Sequence, residues 1–141
     1  MIARLVLCLG IAVAPAIGAQ TNGGAERQAA GAFTQDQVTR GELAFQKYCL
    51  SCHAPTFHTG DQFRHSWIGR TVYDYFKVVK TTMPEDNPGG LTNEEYTVVL
   101  AYILKLNGYP TGTDALPTDS LALQRIRIGP VPSDTVKPTK R

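Results

Sequence analysis

Chemically reactive side chains are scarce in this sequence. Among 141 residues there are three Cys, two Met, three His and one Trp. So few cysteines exclude a scaffold stapled by many disulfides. The formal net charge is only +2, and no block of Lys and Arg marks a nucleic-acid or membrane surface. Charge therefore says little about a partner. Long apolar runs are also missing. Leu5 to Val13 is too short to cross a bilayer, and Pro15 interrupts its continuation. With Arg4 ahead of it and Ala16-Ile17-Gly18-Ala19 behind it, that run reads as the core of a secretory signal peptide covering residues 1–19. Cleavage after Ala19 makes Gln20 the first mature residue and removes Cys8, which lies too early for a lipid-attachment box. It also removes Arg4, bringing the formal charge near +1. An exported, periplasmic protein without stable membrane insertion is expected.

The mature chain then keeps two cysteines, and both fall in Cys49-Leu50-Ser51-Cys52-His53. Cys-x-x-Cys-His is the attachment signature of a covalent c-type haem. Two thiols must reach two vinyl groups on one porphyrin edge, and residues three and four apart on a helical turn share a face. Cys49, Cys52 and His53 can thus converge on one cofactor, with His53 as proximal iron ligand. Zinc would need further ligands, and no second Cys pair exists. A redox dithiol would want a βαβ context, which is lacking. A disulfide between Cys49 and Cys52 is the other reading in an oxidising compartment, and the adjoining His53 argues against it.

Thr21 to Ala32 is rich in Gly, Ala, Gln and Asn without an apolar stripe, so residues 20–33 read as a flexible leader. Thr34 to Gln37 forms a capping box, flanked by Phe33 and Val38 as staple, and starts a helix running to about Cys49. Gly41 inside it costs roughly 1 kcal/mol against Ala. Close approach of another helix is the expected reason, a tolerated surface glycine the alternative. Ala54 to Ile68 reads as a loop, with His58 and His65 as exposed histidines. Trp67 suits packing on the haem with its N–H on a propionate, and Arg70 can pair with the same carboxylate. A core Trp and a surface Arg fit equally well. Thr71 caps a short helix ending near Thr82, lined by Val72, Phe76 and Val79. Met83 precedes Pro84, which forces extended backbone there. A thioether in such a loop can reach the iron as the second axial ligand, and His/Met ligation raises the reduction potential. Residues 85–90 are turn formers that fold the loop back. Thr92 to Glu95 is a second capping box, Leu91 and Tyr96 its staple, and the helix runs to about Leu106. Asn107-Gly108 gives a left-handed stop, and Pro110 prevents continuation.

Gly41-Glu42-Leu43-Ala44-Phe45, Tyr48 and the Cys49–His53 pentapeptide together resemble the first helix of a class I cytochrome c. The resemblance implies an all-α class I cytochrome c fold, with roughly three to five helices wrapped around one covalent haem c. It also implies that Gly41 and Phe45 pack against Tyr102 on the last helix. In many such proteins a proline carbonyl about a dozen residues after the motif orients the proximal histidine. Here Pro55 is followed only by Pro84, so no acceptor for His53 is assigned. Residues 81–112, with Thr-Thr-Met-Pro, Asp-Asn-Pro-Gly-Gly-Leu, Ala-Tyr-Ile-Leu and Asn-Gly-Tyr-Pro, are similar to monohaem cytochromes associated with periplasmic quinoprotein dehydrogenases.

The expected organisation is a signal peptide at 1–19, a leader at 20–33, a cytochrome c domain at 34–112 and a partly disordered extension at 113–141. Within the extension, Asp119 to Arg125 suits a helical turn or two, Ile126 to Ile128 an extended edge, and Val131 onward a solvated tail. The expected function is electron transfer by a protein that is no enzyme itself, though it can be a subunit of an oxidoreductase. Its partners would be a dehydrogenase donor and a cytochrome or oxidase acceptor. The alternative is a haem protein with an open iron position, a peroxidase or gas sensor. Met83 in its expected place argues against it, and a distal His58 or His65 would favour it.

Overall fold

The computed structural model describes residues 26–132. The expected signal peptide with Cys8, the leader up to residue 25 and the tail from residue 133 lie outside these residues. In chain order the elements are β1 (Arg27–Gln28), α1 (Gln35–Tyr48), a 3-10 turn (Pro55–His58), α2 (Gly60–Trp67), α3 (Val72–Thr82), α4 (Asn93–Leu106), α5 (Ser120–Gln124) and β2 (Ile126–Arg127). The fold is all-α apart from the short parallel pair β1–β2.

Three capping boxes set the starts of the main helices. Thr34 with Gln37, Thr71 with Asp74 and Thr92 with Glu95 each exchange side-chain and backbone hydrogen bonds. Such pairs satisfy amides that a helix leaves without internal partners. The helix α4 buries a wide arc from Tyr96 to Leu104, because it packs on several elements at once. Against it lies α1. A Cβ on Gly41 would run into the Val98 carbonyl and lie 2.9 Å from Tyr102 Cβ, so only glycine permits this crossing. Beside it the rings of Phe45 and Tyr102 sit 5.6 Å apart. Gly108, not Asn107, takes the left-handed turn that stops α4, with φ of 86°.

Two expectations are corrected. The segment read as a loop before Ile68 contains the 3-10 turn and α2, with Phe63 buried. The leader is not flexible over residues 26–33: Ala29, Ala32 and Phe33 are fully buried, and Arg27 and Gln28 pair with Ile126 and Arg127. Two of the three are alanines, which leave no apolar stripe in the sequence. In the extension the expected helical turn and extended edge are α5 and β2, and Leu116, Leu123, Ile126 and Ile128 join the core. Burying each such side chain is worth about 1.5–3 kcal/mol. Buried Gln37 ties the extension to α1. Its Nε2 donates to the Leu116 carbonyl at 2.9 Å, and its Oε1 accepts from the Leu116 amide at 2.7 Å.

Candidate haem-binding site

The backbone keeps turning after α1 ends at Tyr48. The amides of Cys52 and His53 both donate to the Cys49 carbonyl, at 3.1 and 2.9 Å. These bonds place both thiols and the imidazole on one turn, at the mouth of a cavity of about 560 Å³. Cys49 is half-buried and Cys52 exposed. Burial pushes the Cys49 thiol pKa up. Phe45, Tyr75, Val99 and Ile103 supply apolar wall from three helices, and Lys47, Glu85 and Asp86 reach the rim.

Met83 lines the same cavity from a different element. It caps α3 in extended backbone, φ −129° and ψ 150°, as the following proline requires. Its amide donates to the Val79 carbonyl at 2.8 Å, and its carbonyl accepts from the Tyr96 hydroxyl at 2.7 Å.

The remaining candidates separate. Trp67 stacks on Tyr75 with ring centroids 4.1 Å apart. It lines an adjoining cavity of about 230 Å³ that shares His58, Tyr75, Val79 and Met83 with the larger one. Arg70 lies over the outer face of Trp67, 5.6 Å from the ring centroid, and lines neither cavity. His58 is not the exposed loop residue expected. It is half-buried, with its ring 5.7 Å from Phe45 and 5.4 Å from His53. Burial first, and the neighbouring His53 second, hold its pKa below the ordinary histidine value. His65 is exposed on α2 and lines neither cavity. His58 thus lies beside His53 on the larger cavity, and His65 stands apart from it.

Several residues of the site escaped the sequence reading. Tyr75 joins Val72, Phe76 and Val79 at spacings of three and four, so its inward place was recoverable from periodicity. Burial in this wall raises its hydroxyl pKa. Asn107 carried no such signal. Its Nδ2 donates to the His58 carbonyl at 2.8 Å and its Oδ1 accepts from the Gly60 amide at 3.2 Å, tying α4 to the chain after the motif.

Residues 36–103 match a family model described as cytochrome C oxidase, cbb3-type, subunit III. The match indicates a c-type cytochrome over these residues. No curated protein and no solved structure matches the chain. The matched span runs from α1 almost to the end of α4, and contains the Cys–His turn and Met83. A covalently bound c-type haem is the cofactor of this cytochrome domain. The residues present fit it: two thiols and an imidazole on one turn, a thioether from the end of α3, and apolar walls between them. The family match implies haem-based electron transfer, and the mostly helical fold is consistent with a class I cytochrome c.

Proposed function

We propose that this chain is an exported single-electron carrier, or the electron-transfer subunit of a larger oxidoreductase, rather than an enzyme in its own right. Cys49 and Cys52 attach the haem, and His53 and Met83 are its axial ligands. The observation that carries this reading is that these four residues, from two separate elements, line one cavity. Bound there, the haem supplies a one-electron ferric/ferrous couple. The chain does the rest. With haem bound, His53 and Met83 would both hold its iron, which would disfavour binding of oxygen or peroxide. Phe45, Val99 and Ile103 exclude water and lower the local dielectric.

The partners are redox proteins. A periplasmic dehydrogenase as donor and a respiratory cytochrome or oxidase as acceptor fit the carrier reading, and a family named for an oxidase subunit supports the respiratory side. Export to the periplasm is supported by residues 1–19 as a signal peptide. Among the described residues no helix is long and apolar enough to cross a membrane. Trp67 is kept as a contact for one haem edge because its cavity shares four residues with the larger one. Arg70 follows only as the cation resting on that ring.

Expression with a haem-attachment system, osmotic-shock fractionation and a potentiometric titration test the reading together. A haem stain surviving a denaturing gel in the periplasmic fraction, with a one-electron couple and no carbon monoxide adduct, is the expected result. Rapid carbon monoxide binding to the reduced protein would favour the open-site alternative.

A further inference from the structure

Met83 is followed by a loop, residues 84–90, in which no side chain is buried. The Met83 amide is held to α3 through Val79. Its carbonyl is held from elsewhere, by the Tyr96 hydroxyl at 2.7 Å. The same hydroxyl accepts from the Leu91 amide, at the far end of the loop, over a longer 3.5 Å. One hydroxyl can do both, since it has a proton to give and lone pairs to offer. Tyr96 is itself fixed. It is 1% exposed, its ring packs edge-on to Phe76 at 6.1 Å, and the capping box of Thr92 and Glu95 anchors the turn of α4 that carries it. A single buried hydroxyl thus joins both ends of the loop that presents the thioether.

We propose that Tyr96 is a positioning residue for the Met83 thioether, and that its hydroxyl sets how firmly the iron site stays closed to added ligands. The inference rests on Met83 being an axial ligand. A methionine side chain is unbranched and flexible, so the backbone from which it reaches decides how often the sulfur is in place. An external ligand binds only the fraction of molecules in which the thioether is off, and its apparent affinity scales with that fraction. Loosening the Met83 carbonyl raises that fraction. Ferric iron should reveal it first, because the soft sulfur favours the ferrous state.

The test is an imidazole titration of ferric holoprotein for wild type, Tyr96→Phe, Met83→Ala and the double variant. Phenylalanine keeps the ring that packs on Phe76 and removes only the hydroxyl. The expected result is about fivefold tighter imidazole binding in Tyr96→Phe, the size of one ordinary hydrogen bond. On alkaline titration the far-red methionine–iron band should also bleach at lower pH than in wild type. In the Met83→Ala background the same substitution should change nothing, because no thioether remains to position. Equal affinities for wild type and Tyr96→Phe, or an effect that persists without Met83, overturn the proposal while leaving the axial assignment intact. Met83→Ala binding imidazole no better than wild type overturns the axial assignment, and the positioning role with it. If Tyr96→Phe fails to load haem, hydrogen exchange of the Leu91 amide in wild type decides. Coupling is reciprocal, so that amide should exchange faster with imidazole on the iron, and an unchanged rate refutes the role.

Discussion

Cys49, Cys52 and His53 act together because a helical turn returns to the same side after three and four residues, and the amides of Cys52 and His53 hold that turn. Cys49→Ser or Cys52→Ser should leave one thioether bond, and the double variant should lose all haem stain on a denaturing gel. Retention of stain by the double variant would refute attachment here. This turn was legible in the sequence because the spacing itself carries the chemistry. Met83 was legible through the residue after it, since proline forces the extended backbone seen there. His58 was not. Its burial depends on Phe45, which the helix α1 brings over it, and nothing within the local loop sequence announces that contact. Trp67 shows a similar limit. The sequence suggested packing on the haem or in the core, and the ring it stacks on is Tyr75.

At the scale of elements, the crossing of α1 and α4 holds the Cys–His turn against the wall formed by Val99 and Ile103. Gly41→Val should destabilise the holoprotein by about 3 kcal/mol, because a Cβ there meets the Val98 carbonyl and backbone must move. Denaturant unfolding followed at the haem absorbance measures it. The capping boxes carry a pH dependence. At Asp74 the Thr71 amide, then the Thr71 hydroxyl, pull the carboxyl pKa down against an opposing effect of burial. At Glu95 the Tyr48 hydroxyl, 2.7 Å away, is the largest cause of the same downward shift, followed by Thr92. A carboxyl more acidic folded than unfolded contributes fully above its unfolded pKa and loses that contribution as pH falls through the folded value. Melting temperature should therefore drop on acidification below about pH 4, and Glu95→Gln should shrink that drop. Circular dichroism melts across that range check it. The boxes at Thr34 and Thr92 were readable because a Thr with Gln or Glu three residues on is a local signal, while at Thr71 only the cap was read and Asp74 completes a box.

At the scale of the whole molecule, both ends of the described chain complete the domain. The ion pairs Arg27–Asp114 and Arg127–Glu26 link the leader and the extension. Behind them Leu123 and Ile126 belong to the core on which α3 rests, and α3 ends at the methionine. Leu123→Ala should cost about 2–4 kcal/mol and lower haem retention on heating, as thermal unfolding would record. Unchanged stability would return the extension to the role of an appendage. The helical turn and edge of the extension were readable, whereas the packing of residues 26–33 against them was hidden for a physical reason. A two-residue strand has no periodicity to detect, and buried alanines look like those of a linker until backbone from residues far along the chain closes over them. The proposed iron site lies elsewhere, between His53 and Met83. Its most direct test is the optical spectrum of exported holoprotein, oxidised and reduced, beside Met83→Ala. A closed carrier should show low-spin covalent haem with the weak far-red band of methionine-bound ferric iron, and the variant should lose that band. A high-spin wild type, or one whose spectrum and carbon monoxide binding are unaffected by losing Met83, would contradict it.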